Sequence, residues 1–258
     1  MNEENLMMKD KAGLVTGAGS GIGRAGALAF AKNGARVVVS DIDEAAGRET
    51  VEMIAASGGK AVFFQCDVSD EEQVKALVDA AVSNFGQLDF AFNNAGMNGV
   101  FAPIGETDSA TWDRVMKVNL YSTFYCLKHE VNAMLKTGGG AIVNTASAAG
   151  LVGIANNAPY TASKFGVVGI TRNAAMDYGP LGIRINALTP GSTTSPMMKN
   201  AFEQNPPEFR ERILSAIPMR GLAEPEDQAD AVVWLCSDQA RMVTGISLAV
   251  DGGWLAGK

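Results

Sequence analysis

The stretch T-G-A-G-S-G-I-G, residues 16–23, decides how the chain is read. It follows the apolar run G-L-V-T and opens a helical stretch from about Ile22 to Lys32, which Asn33-Gly34 stops as a helix C-terminus should. Glycines allow positive φ and let backbone approach a ligand. A helix N-terminus adds free N–H groups and partial positive charge suited to a phosphate. A glycine triplet alone also serves ordinary strand–helix turns. With a strand before it and a helix after it, the context is that of a dinucleotide-binding loop. The candidate contacts are Gly17, Ser20, Gly21, Ile22 and Gly23.

Outward from this loop, short apolar runs alternate with longer periodic segments. A-R-V-V-V-S precedes a helix through 43–57, and A-V-F-F-Q-C precedes one through 70–85. L-D-F-A-F precedes a long helix over 111–135. G-A-I-V-N-T precedes a helix that holds Y-T-A-S-K and continues to about Tyr178. I-R-I-N-A-L and I-S-L-A-V complete seven strands. This regular alternation predicts crossover connections and an α/β fold, a doubly wound parallel sheet with helices on both faces. The strands read as apolar throughout, as buried strands do. The stretch 190–217 differs: it carries Pro190, Pro196, Pro206 and Pro207, with Pro218 at its edge, and two short helical pieces. It reads as a substrate-loop insertion over the carboxyl edge of the sheet, within a single domain spanning 1–258.

The bulk properties narrow the function. The chain has 258 residues, enough for a full core, with 47% hydrophobic and 19% charged residues. Its net charge of −7 argues against a nucleic-acid partner and against anionic membranes. No apolar run approaches the ~20 residues of a membrane span. The start, M-N-E-E-N-L-M-M-K-D, is polar and acidic, unlike a signal peptide. Cys66, Cys126 and Cys236 form no C-x-x-C pair and read as buried reduced thiols, which makes the expected location cytoplasmic. The one histidine, His129, is followed by Glu130 but has Ala133 four positions on, so it is not H-E-x-x-H. It reads as a surface helical residue, and the chemistry is expected to run without histidine and without a metal.

The ends of the strands carry the polar candidates. A carboxylate about 20 residues beyond the glycine loop is placed for the adenosine ribose hydroxyls of NAD. Asp41 ends the second strand in S-D-I-D, while Arg36 stands at the opposite edge. Arg24 follows the loop and has the reach for a 2′-phosphate, yet Asp41 would repel one, so NAD is favoured over NADP. Asp43 can supply the helix cap that is the structural alternative for this region. Asp67, in C-D-V, is placed for the adenine amino group. N-N-A-G, residues 93–96, brings Asn94, Ala95 and Gly96 to the fourth strand's end, where small residues let a flat cofactor lie. Together these line the carboxyl edge, where open α/β sheets bind ligands.

The chain resembles the short-chain dehydrogenase/reductase family in its one-domain subclass, a Rossmann-like fold. The resemblance rests on T-G-A-G-S-G-I-G, the Asp41 strand end, C-D-V, N-N-A-G, V-N-L around Asn119, Ser147, Y-T-A-S-K, P-G at 190–191 and D-G-G at 251–253, in the family's order. Ser195 stands where the family often has threonine, and Ala146-Ser147 replaces a commoner pair of serines. The resemblance implies a catalytic tetrad of Asn119, Ser147, Tyr160 and Lys164. It also implies cofactor contacts at Val68, Pro190, Gly191 and Thr193, besides Tyr160 and Lys164.

The chemistry is consistent with those roles. Tyr160 and Lys164 are four apart, on one helix face. A free tyrosine has a pKa near ~10, and a nearby ammonium lowers it by stabilising phenolate. A tyrosine so tuned serves as general acid–base. Ser147 is suited to hydrogen-bond the substrate oxygen. The family role of Asn119 is to hold a water that relays protons to the lysine. The expected reaction is hydride transfer between a secondary alcohol, or its ketone, and the nicotinamide. Met97, Val100, Phe101, Leu151, Ile154, Met197, Met198 and Phe202 suggest a pocket for a small neutral, fairly apolar substrate. The alternatives are an NADPH-dependent reductase of 3-oxoacyl thioesters, a non-catalytic NAD-sensing module and a sugar-nucleotide epimerase. The last uses a different glycine spacing and a longer carboxyl domain. The resemblance further implies a homotetramer.

Overall fold

In the central strands, successive side chains supply two cores on opposite faces of one sheet, as a period of two requires. Leu14 joins one core and Val15 the other; Val38 joins the first, and Val37 and Val39 the second. The computed structural model describes residues 6–203 and 205–258; the opening residues of the acidic start, 1–5, lie outside them. The strands are β1 (Ala12–Thr16), β2 (Arg36–Asp41), β3 (Lys60–Gln65), β4 (Phe90–Asn93), β5 (Gly140–Thr145), β6 (Ile183–Pro190) and β7 (Ser247–Val250). They form a single parallel sheet in the order β3-β2-β1-β4-β5-β6-β7. β1 pairs with both β2 and β4, so the winding reverses beside it and opens a crevice at the carboxyl edge.

Nine α-helices accompany the sheet among the described residues: α1 (Gly21–Lys32), α2 (Glu44–Ala56), α3 (Glu71–Phe85), α4 (Ser109–Met116), α5 (Ser122–Met134), α6 (Ala158–Tyr178), α7 (Pro196–Glu203), α8 (Pro207–Ala216) and α9 (Pro225–Cys236). Val74 and Leu77 of α3, Leu127 and Val131 of α5 and Ala174 of α6 close one core. Ala27 and Phe30 of α1, Ile54 of α2 and Val232 and Val233 of α9 close the other. Each fully buried Leu, Ile or Phe contributes about 1.5–3 kcal/mol of apolar burial. Cys66, Cys126 and Cys236 are free and buried, as their spacing suggests.

Four features depart from the sequence reading. The edge strands are not fully buried: β3 is half-exposed and ends on exposed Lys60 and Gln65, and β7 is likewise partly open. The helix expected over 111–135 is interrupted by a π-helical turn, Lys117–Tyr121, between α4 and α5. α9 is a crossover helix that the sequence reading leaves unassigned. It starts at Pro225 with a capping box between Glu224 and Asp227. His129 is not at the surface; it is half-buried, with Nε2 3.3 Å from Glu71 Oε1. The expected insertion carries α7 and α8, neither of which has a buried residue. The two lean on each other through an edge-on contact of Phe202 with Phe209 at 6.2 Å. Among the described residues no helix is long and apolar enough to cross a membrane.

Candidate active site

The glycine loop joins β1 to α1 at the switch point. Gly17 and Gly21 hold φ of +62° and +50°, and Ser20 caps α1 with extended backbone while its side chain makes no cap bond. Its exposed hydroxyl and the first N–H groups of α1, at Gly21, Ile22 and Gly23, stand at the end of the helix where an anion is favoured. Gly23 is required by close approach: a Cβ there would lie 2.1 Å from Gly17 O and 2.5 Å from Asn94 Nδ2. Asn94 reaches back to this loop, donating from Nδ2 to Thr16 O and Gly17 O, each at 3.3 Å. The buried Thr16 hydroxyl accepts from Asn94 N and Ala95 N at 3.0 and 3.1 Å. Thr16 thus clamps the ends of β1 and β4 together, a role the sequence does not advertise.

Asp41 stands at the same corner. Its Oδ2 accepts from Gly19 N at 2.7 Å, and its Oδ1 accepts from Asp43 N at 3.0 Å. Asp43 itself caps α2, accepting from Ala46 N. Arg24 is turned away into an ion pair with Glu49 and a bond to Ala46 O. Arg36 is at the far edge, donating to Phe85 O and Asp10 O. Asp67 lies past the end of β3, where its Oδ1 accepts from Ser69 N at 2.9 Å, and Val68 beside it is buried.

On the other side of β1, the loops after β4, β5 and β6 meet the start of α6. The Ser147 side chain stands beside the Tyr160 hydroxyl, close enough to lower its pKa, and its Oγ accepts from Ala149 N at 3.1 Å. Lys164 is buried, donates from Nζ to Thr145 O at 2.7 Å, and stands 5.6 Å from the centroid of the Tyr160 ring. Gly96 leaves the room this needs: a Cβ there would sit 3.3 Å from Asn119 Oδ1 and 3.5 Å from Lys164 Nζ. The tetrad is therefore gathered around the N-N-A-G turn.

The electrostatics differ from the sequence expectation. Burial raises the Tyr160 pKa above its ordinary value, opposed by the Ser147 side chain beside it. Desolvation dominates at the phenol, and the lysine bears the larger change: burial pushes Lys164 down to about 8.

Asn119 also differs. Its Oδ1 accepts from Met97 N at 2.8 Å, and its Nδ2 donates to Met97 O at 2.9 Å and to Ser163 Oγ at 3.1 Å. Its carbonyl accepts from Thr123 Oγ1. With both amide hydrogens used, this side chain clamps Met97 rather than offering donors to a water. The π turn at Lys117–Tyr121 is what aims it there. Ser163, absent from the candidates, links Asn119 to the Tyr160 carbonyl, which it meets at 2.7 Å.

Pro190 ends β6, and Gly191 N donates to Val250 O at 3.0 Å. Thr193 faces inward: its buried hydroxyl donates to Gly191 O at 3.2 Å and accepts from Gln228 Nε2 at 3.1 Å. Ser195 caps α7 through Met198 N, and a Cβ on Gly21 would meet Ser195 and Pro196 at 3.6 Å. The start of the insertion thus stands over the glycine loop.

A protein-family model described as enoyl-(acyl carrier protein) reductase matches residues 17–255. The chain is 46% identical over 244 residues to 2,5-dichloro-2,5-cyclohexadiene-1,4-diol dehydrogenase of Sphingobium indicum, covering 94% of this chain and 96% of that protein. It is 45% identical over 246 residues to cyclohexanol dehydrogenase of an Acinetobacter strain, covering 95% of each. Among solved structures, 7α-hydroxysteroid dehydrogenase complexed with NADH and 7-oxo glycochenodeoxycholic acid superposes with a TM-score of 0.92 at 36% identity, covering 98% of this chain and 97% of that one.

Proposed function

The chain belongs to the short-chain dehydrogenase/reductase family, an oxidoreductase family acting on CH–OH groups with a nicotinamide dinucleotide; within it, we propose an NAD-dependent dehydrogenase of small neutral secondary alcohols that uses Tyr160 as general acid–base. The observation that carries the reading is the buried Lys164 ammonium 5.6 Å from the Tyr160 ring, with the Ser147 side chain beside the phenol, at the carboxyl edge of the sheet.

The residues present fit the dinucleotide. Gly23 lets the glycine loop close against Gly17 and Asn94, Gly96 keeps a Cβ out of the space beside Asn119 and Lys164, and the start of α1 presents free N–H groups. Gly17, Ser20, Gly21, Ile22 and Gly23 would hold the pyrophosphate. Asp41 would take the adenosine ribose, Asp67 and Val68 the adenine, and Asn94, Ala95, Gly96, Pro190 and Gly191 the nicotinamide half. Thr193, whose hydroxyl is bonded to Gly191 O and Gln228 Nε2, would hold the loop on the nicotinamide side. When bound, NAD supplies the hydride acceptor. NAD is preferred to NADP because Arg24 is already paired with Glu49 and Asp41 would face a 2′-phosphate.

Ser147 orients the alcohol oxygen, and Tyr160 removes its proton as the carbinol carbon loses hydride. The buried phenol holds its own proton at neutral pH, so as it takes the alcohol's proton it would pass that one on toward Lys164, whose pKa of about 8 leaves a fraction of it neutral and able to accept. Asn119 keeps the Met97 backbone in place beneath the substrate. Met97, Val100, Phe101, Leu151, Ile154 and Met197 give the substrate an apolar setting. The names of the two relatives, each a dehydrogenase of a six-membered carbocyclic alcohol, point the same way.

The second reading, reduction of acyl thioesters, draws on the description of the matching family model. It asks for free cations on the insertion, whereas Arg210 and Arg212 lie over the Phe202 and Phe209 rings. The experiment is a panel of secondary alcohols and 3-oxoacyl thioesters with NAD(H) and NADP(H), followed by NADH or NADPH absorbance. Oxidation of cyclic alcohols with NAD supports the first reading. Turnover confined to thioesters with NADPH overturns it.

A further inference from the structure

Asn157 begins α6, three residues before Tyr160, at the N-cap position. An asparagine there normally accepts a backbone N–H of the first turn. This one makes no such bond, and Pro159, two positions on, has no N–H to offer. The residue is only 4% exposed, and its Oδ1 has no hydrogen-bond partner among the described residues. A buried acceptor without a donor is a standing cost to the fold.

Its position says what would use it. At about 100° per residue, Asn157, Tyr160 and Lys164 fall within a sector of about 60° on one face of α6. Ala102 is bridged to Asn157, and Ala102 N donates to Asn156 O at 2.9 Å. The segment from Met97, held by Asn119, to Ala102 is therefore pinned at both ends and forms one wall beside the reacting groups. Val100, Phe101, Leu151 and Ile154 around this wall are apolar. Asn98 and Asn156 are the other carboxamides of this region, but of the three only Asn157 has a buried side-chain oxygen without a partner among the described residues, and χ2 of asparagine is a soft torsion that turns Oδ1 toward the cleft at little cost.

We propose that Asn157 is a specificity residue: its Oδ1 accepts a hydrogen bond from a second hydroxyl of the substrate, so that the enzyme prefers cyclic diols to the corresponding mono-alcohols. This deepens the alcohol dehydrogenase reading and rests on it. A site that hydrogen-bonds a substrate hydroxyl discriminates against the analogue that lacks it, because the buried acceptor then stays unpaired.

The test compares kcat/KM for cyclohexanol with that for cyclohexane-1,2-diol and cyclohexane-1,4-diol, using NAD, in the wild type, Asn157→Leu and Asn157→Ala. NADH affinity, read by fluorescence, reports on folding. The wild type should favour at least one diol by about tenfold or more. Both variants should lose that preference, chiefly through a higher KM for the diol. Equal efficiency with mono-alcohol and diols in the wild type overturns the proposal, and so does a variant that binds NADH and keeps the diol preference. Should both variants misfold, the wild-type ratio decides alone. If no alcohol yields NADH, the failure lies with the dehydrogenase reading and takes this inference with it.

Discussion

Replacing Asp41 should change which dinucleotide the enzyme accepts. The carboxylate is fixed by bonds from Gly19 N at 2.7 Å and Asp43 N at 3.0 Å, so it cannot swing aside without freeing both donors. Two unit charges near a protein surface repel by about 4 kcal/mol at about 4 Å and by about 2 kcal/mol at about 8 Å. The smaller figure, for a phosphate tilted outward, already corresponds to about a thirtyfold preference for NAD. Asp41→Ala removes the repulsion and should raise kcat/KM with NADP by about that factor. It should also weaken NAD, since Gly19 N and Asp43 N lose their acceptor. Adding Glu49→Gln releases Arg24 from its ion pair and supplies a cation for the phosphate, so the double variant should favour NADP further. The assay is initial-rate kinetics with one secondary alcohol and each dinucleotide. A wild type indifferent to the 2′-phosphate, or a variant whose ratio stays where it was, would refute the reasoning.

Three further outcomes follow from other parts of the molecule. Gly23→Ala would push its Cβ to 2.1 Å from Gly17 O; overpacking of this kind costs about 1–3 kcal/mol, and NADH binding by fluorescence titration should collapse. Lys164→Met should abolish turnover yet stabilise the fold. The lysine sits near 8 in the protein against an ordinary 10.5, so the cost of its burial is complete below pH 8 and fades as pH climbs toward 10.5. After allowing for the orphaned Thr145 carbonyl, the gain near neutral pH is about 2 kcal/mol, measurable by denaturant titration. Glu130 is buried against Asn93 Nδ2 at 2.9 Å and is pushed up to about 8 from 4.5. The stability its neutral form contributes is full below pH 4.5 and is lost as pH rises through 8. Calorimetry should show wild-type Tm falling across that window and Glu130→Gln largely flattening the fall.

The strands were legible because a buried parallel strand is a short β-branched run bounded by turn residues; β5 occupies Gly140–Thr145, the run G-A-I-V-N-T itself. The glycine loop was legible for a similar reason, since its requirement is local backbone geometry. α9 was not, because A-V-V-W-L-C at its end is a short apolar run that periodicity alone cannot tell from a strand. The π turn at Lys117–Tyr121 has no local signature. What it serves is the grip of Asn119 on Met97, a contact between segments 22 residues apart. The same limit hid Thr16, whose hydroxyl meets Asn94 N across 78 positions, and Ser163, whose partner Asn119 is 44 away. The Tyr160–Lys164 pair was visible as a spacing, but its electrostatics were not. Burial at both groups outweighs the mutual influence that four-residue spacing suggests, and burial is a property of the finished fold.

The most direct measurement is made on Tyr160→Phe: turnover of a secondary alcohol with NAD, and NADH affinity on the same preparation. The phenyl ring keeps the packing of α6 and removes only the hydroxyl that stands beside Ser147. The account predicts wild-type NADH affinity with turnover reduced by about 10²–10⁴-fold. A variant that binds NADH and still oxidises the alcohol at a rate close to the wild type would contradict it.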